Sequence, residues 1–143
     1  MDTLKLYALS FVGLPYKYGG NNPIEGLDCS GLVCEILKSC GVLPFDADFS
    51  AQALFDHLEK NGSPNRQDLG SVAFYGKSVT TIVHTAFCLD RWRMVEAGGG
   101  DHLTLTRGDA AVRNAFVKVR KIEYRKDFLY CLKPNYGTIG VIS

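Results

Sequence analysis

The chain lacks any apolar run approaching the length of a bilayer-spanning helix. Its first residues, Met1-Asp2-Thr3-Leu4-Lys5, lack the basic start, apolar core and cleavage site of a secretory leader. Membrane insertion and classical export are therefore not expected, and synthesis is expected in the cytoplasm. An excess of charge is also missing. Sixteen Lys and Arg against fifteen Asp and Glu leave a formal net charge of +1, so no strong field selects nucleic acid or an anionic membrane. No C-x-x-C pair and no ligand-like spacing of Cys and His occurs, which argues against zinc. Cys29, Cys34, Cys40, Cys88 and Cys131 are odd in number, which fits free thiols in a reducing compartment better than a disulfide framework. Repeats and low-complexity segments are absent. Histidine is scarce, with three residues, so a general base has few candidates.

What is present describes one globular domain over residues 1–143. With 46% hydrophobic and 22% charged residues, the composition supports a core without staples. The first 61 residues carry helical patterns at 3–12, from 29 to a stop at Gly41, and from Ser50 to Asn61 with Gly62 as stop. Strand patterns follow at 71–75, 82–89, 93–97, 115–120 and 128–132, with Asp90-Arg91 as a tight turn between the second and third. The tail 134–143 reads as loosely held. Helices first and an antiparallel sheet afterwards predict an α+β fold. The basic cluster Arg113, Lys118, Arg120, Lys121, Arg125 and Lys126 is interleaved with apolar residues and reads as a solvated strand face.

Gly26-Leu27-Asp28-Cys29-Ser30-Gly31-Leu32-Val33 places a cysteine where a turn gives way to a helix. Asp28 is a good N-cap, and Leu32, Val33, Ile36, Leu37 and Cys40 recur at helical spacing behind it. Cys29 thus sits at the positive end of the helix dipole, which favours a thiolate. The Asp28 carboxylate opposes that charge, so it is expected to point into the cap or onto a substrate group.

A thiol nucleophile needs a base and a third group to hold the base. His57 lies mid-helix beside Asp56 and Glu59 and reads as a surface residue; His102 lies in a loop. His84 stands among Ile82, Val83, Ala86 and Phe87, and the next strand carries Glu96. A hairpin turning near Asp90-Arg91 sets opposite residues whose numbers sum to about 180, which makes His84 and Glu96 cross-strand neighbours. A carboxylate there fixes the imidazole tautomer and favours its charged form.

Tyr16-x-Tyr18-Gly19-Gly20, then Asp28-Cys29-Ser30-Gly31-Leu32-Val33, then His84 with a polar residue twelve positions on, resembles the NlpC-type cell-wall cysteine peptidases. The resemblance covers residues 3–97. It implies a papain-like fold, in which N-terminal helices include a nucleophile helix packed on a small antiparallel sheet. It also implies cleavage of peptidoglycan stem peptides, with the γ-D-glutamyl–diamino acid bond as the expected target. Carried over, Cys29 is the nucleophile, His84 the base and Glu96 the orienting group. Tyr18 lines the site and helps hold the oxyanion. Asp28 and Ser30 contact the peptide, with Asp28 receiving a free amino group. No metal and no organic cofactor are implied.

Glu at 96 is less usual in this family than His, and Gly70-Ser71-Val72 stands where Gly-Asp is expected. The glycine run after Ala97 and the basic C-terminal part resemble the phage-associated branch, which would place the protein on a tail or in a lysis system. The alternatives are an acyltransferase or transglutaminase-like thiol enzyme and a catalytically inert phage tail module.

Overall fold

The computed structural model describes residues 2–65 and 67–136. Helix α1 (Asp2–Leu9) is shorter than the expected 3–12. Gly13, at φ 96°, turns the chain away, and its N–H donates to Val117 O along a sheet edge. Strands β1 (Asn21–Asn22) and β2 (Gly26–Leu27) form a small hairpin leading into α2 (Cys29–Ser39). Helix α3 (Ala51–Asn61) begins at the expected cap, where Ser50 Oγ accepts from Ala53 N at 3.1 Å.

Gly62 ends α3, but in extended backbone. It opens strand β3 (Gly62–Asn65), which pairs with β8 (Phe128–Pro134). Gly-Ser-Pro-Asn has little strand propensity, and an edge position tolerates its proline. Strands β4 (Val72–Gly76), β5 (Ile82–Cys88) and β6 (Arg93–Ala97) follow, one residue or less from expectation. Helix α4 (Arg107–Arg113) was not anticipated. Strand β7 (Val117–Lys121) and a 3₁₀ turn (Ile122–Tyr124) precede β8. The six-stranded antiparallel sheet has the order β3-β8-β4-β5-β6-β7.

The main core joins the helices to the sheet. Leu32, Val33, Ile36 and Leu37 of α2 and Leu54, Phe55 and Leu58 of α3 pack with Val72, Phe74, Phe87 and Val95. Alternate residues of the strands, Ala73, Tyr75, Ala86, Cys88, Met94 and Cys131, form a second cluster with Ile122. All five cysteines are free. Cys34, Cys88 and Cys131 are buried, while Cys40 is half-buried at the end of α2. Cys88 and Cys131 bring their sulfurs to 3.8 Å from strands separated by β4. Two strand spacings of about 4.8 Å each put their backbones beyond disulfide reach.

Of the expected loose tail, Pro134 closes β8 and Tyr136 Oη donates to Gly70 O at 2.6 Å; residues 137–143 lie outside the described residues. No helix among the described residues is long and apolar enough to cross a membrane.

Candidate active site

Cys29 is the first residue of α2, and the cap that starts the helix also sets the thiol's surroundings. Asp28 Oδ1 accepts from Gly31 N at 2.7 Å and from Ser30 Oγ at 3.3 Å, while Asp28 O takes Leu32 N. The N–H groups of Cys29 and Ser30 are thus left at the mouth of the helix. Gly31 is required by a close backbone approach, since a Cβ there would stand 2.1 Å from Gly20 O. This contact ties the glycine pair of one motif to the cysteine turn of the other. Burial pushes the Asp28 carboxyl up despite its hydrogen bonds.

His84 and Glu96 meet as expected, though by a different register. The β5–β6 ladder pairs Phe87 with Val95 and Cys88 with Met94, so paired numbers sum to 182. Extending it puts Ala86 opposite Glu96 and makes His84 a diagonal neighbour on the same face. The extra residue lies in the turn. Asp90 caps it by accepting from Trp92 N and Arg93 N, both at 2.8 Å, so the loop is wider than a two-residue turn. His84 Nε2 still reaches Glu96 Oε1 at 2.6 Å, with His84 5% and Glu96 1% exposed.

Burial disfavours the imidazolium, but hydrogen bonds to Cys29 and Glu96 outweigh it and push His84 up to about 9. The Glu96 carboxyl is likewise disfavoured by burial. It is held below its ordinary value by His84, Tyr124 and Arg120. Since Nε2 is committed to Glu96, Nδ1 is the ring nitrogen left for another partner.

The thiol opens on a groove of about 390 Å³, lined by Tyr16, Tyr18, Gly19, Asp28, Cys29 and Ser30 on one side. Ser50, Ala51, Gln52, Ile82 and Val83 complete it. Tyr18 sits on its outer rim, 54% exposed, with its ring edge-on to His102. Ser30 is buried and gives its hydroxyl to Asp28, so it shapes that carboxylate. Tyr16 was quoted in the motif but not singled out as a site residue. It lies deeper than Tyr18, and burial together with the Cys29 and Asp28 charges raises its phenol.

Tyr124 and Arg120, both on Glu96, were also missed. His57 is half-buried rather than on the surface, its ring stacked on Phe49. A larger hollow of about 910 Å³ lies beside the end of α3, lined by His57, Lys60, Lys133 and Tyr136 among others. It holds no cysteine, so the thiol rather than size selects the smaller groove. No cluster of metal-ligating side chains occurs among the described residues.

A helix-borne cysteine set beside a buried histidine and carboxylate on an antiparallel sheet is a papain-like arrangement. The profile of the NlpC/P60 family matches residues 13–124. The chain belongs to the NlpC/P60 family. The gamma-DL-glutamyl hydrolase of Bacillus subtilis (strain 168) is 29% identical over 99 residues, covering 69% of this chain and 24% of that protein. The bifunctional muramidase/DL-endopeptidase CwlT of the same strain is 33% identical over 82 residues, 57% of this chain and 25% of CwlT. The chain therefore spans about a quarter of the length of these curated relatives. RipD of Mycobacterium tuberculosis, a non-catalytic NlpC/p60 domain protein adapted to peptidoglycan binding, shares the fold. It superposes with a TM-score of 0.62 at 19% identity, covering 92% of this chain and 94% of RipD.

Proposed function

We propose that this domain is a cysteine endopeptidase that cuts γ-D-glutamyl–diamino acid bonds in peptidoglycan stem peptides. The observation that carries this reading is the buried His84–Glu96 pair at 2.6 Å, with Cys29 at the start of α2 near enough to favour the charged imidazole. The relatives' names, a gamma-DL-glutamyl hydrolase and a DL-endopeptidase, support the choice of bond.

The thiol proton passes to His84 Nδ1, and the Cys29 sulfur attacks the scissile carbonyl carbon. Negative charge moves to the carbonyl oxygen, where the N–H groups at the start of α2 stabilise it, with a tyrosine of the groove beside them. As the C–N bond breaks, the imidazolium gives its proton to the leaving amine, and a thioester remains on Cys29. Neutral His84 then takes a proton from water, whose oxygen attacks the thioester. The sulfur leaves as thiolate, and the acid product departs. Glu96 holds the ring throughout and stabilises its charged form. Asp28 receives the ammonium of the stem peptide; the nearby Asp48 adds to the negative field there.

Mass spectrometry of defined stem peptides, free and N-acetylated, tests this reading. Cleavage after γ-D-glutamate in the free peptide alone is the expected result. Equal cleavage of both forms overturns the role of Asp28, and absence of cleavage overturns the choice of bond. An amide product formed with an added amine identifies a transferase instead.

A further inference from the structure

Glu96 has two oxygens, and the triad uses one. Oε1 meets His84, while Oε2 accepts from Tyr124 Oη at 2.9 Å and lies 3.0 Å from Arg120 Nε. The Arg120 Nε is buried without a directed hydrogen bond, so it contributes charge rather than a bond. Its guanidinium also lies over the Tyr124 ring, 4.5 Å from the centroid, and the two side chains brace each other. Gly98 leaves room for the carboxylate, since a Cβ there would stand 3.0 Å from Oε2.

A carboxylate that is 1% exposed is costly unless its charge is matched. With the proton on His84, charges alternate along one line: thiolate, imidazolium, carboxylate, guanidinium. Other charged and titratable groups nearby are engaged elsewhere. Lys118, opposite Glu96 on β7, gives its Nζ to Asn114 O. Arg125 is tied to Asp127 by two bonds of 2.9 Å. Tyr75, whose ring lies against His84, gives its hydroxyl to Ile122 O.

We propose that Arg120 and Tyr124 are positioning residues: by holding the second oxygen of Glu96 they keep that carboxylate charged and fixed on His84. The proposal rests on the peptidase reading above. It gives the carboxylate at 96, where the family more usually has His, a structural counterpart, because a side chain without negative charge would need neither partner.

The test compares Arg120→Met and Tyr124→Phe in the natural background and in Glu96→Gln. In the natural background kcat falls by about tenfold, the loss that one pKa unit of ion-pair stabilisation carries, while KM stays within about twofold because neither residue lines the groove. The acid limb of the pH profile and the ¹³C titration of the Glu96 carboxyl move up by about one unit. Arg120→Lys retains the charge and leaves both in place. In Glu96→Gln the same substitutions change kcat by less than about twofold.

Equal losses in both backgrounds, or an unmoved carboxyl titration, overturn the proposal. If no form of the protein turns over substrate, the titration still decides: a shift upholds the positioning and overturns only the peptidase reading, and no shift overturns both.

Discussion

Two groups far apart in the chain, a thiol at position 29 and an imidazole at 84, meet because each is fixed by its own local rule. Asp28 starts the helix that carries the thiol, and strand alternation sets the face of His84. These rules can be read from sequence, so Cys29, His84 and Glu96 were legible as candidates. Tyr124 and Arg120 were not, because they reach Glu96 from β7 and the turn after it, through a register that periodicity cannot assign. Tyr16 and Tyr18 alternate on one segment, and nothing in their neighbours tells which goes deeper. Glu96→Gln removes the charge that favours the imidazolium but keeps an acceptor of similar shape. It is expected to lower kcat by about 10²–10⁴-fold, the range general acid–base catalysis supplies, with an unchanged circular dichroism spectrum. Activity within about twofold of the natural enzyme would remove Glu96 from the chemistry.

At the scale of elements, α3 braces the strand that carries His84. Gln52 of α3 accepts from Ile82 N at 2.7 Å and donates to Val79 O at 2.9 Å, pinning the turn before β5. Phe55 on the same helix is buried edge-on to Phe74 and Tyr130, at 5.1 and 5.9 Å between ring centroids. Phe55→Ala is expected to cost about 3–5 kcal/mol, measured by urea unfolding; a loss below about 1 kcal/mol would mean that the helix does not depend on this contact. Helices α2 and α3 were legible because capping residue and apolar period agree. Helix α4 carried one overlooked sign. Thr106 and Asp109 form a capping box in which the Asp109 side chain accepts from Thr106 N at 3.1 Å. Strand β3 carried none, since its residues become a strand only by pairing with β8, at the far end of the described chain.

For the molecule as a whole, the buried ion pair ties stability to pH. His84 is raised from 6.5 to about 9 in the folded state, so the stabilisation it contributes is complete below about 6.5 and is lost as pH rises through 9. Glu96 is lowered from 4.5, so its contribution is present above that value and is lost as pH falls through the folded-state value. Melting temperature is therefore expected to be highest between about pH 4.5 and 6.5 and to decline on the alkaline side, with His84→Gln flattening that decline. An identical alkaline slope in both proteins would show that the imidazolium does not stabilise the fold.

The α+β class was legible at this scale because helical and alternating patterns occupy different parts of the chain. The strand order was not, since β8 inserts beside β4 and leaves β3 at the edge. The most direct measurement is digestion of purified peptidoglycan by the natural protein and by Cys29→Ala, with soluble products read by mass spectrometry. Release of stem-peptide fragments by the natural protein alone, from two equally folded samples, is the predicted result. Equal release by the Cys29→Ala protein, or none by either, would contradict a thiol-dependent wall peptidase.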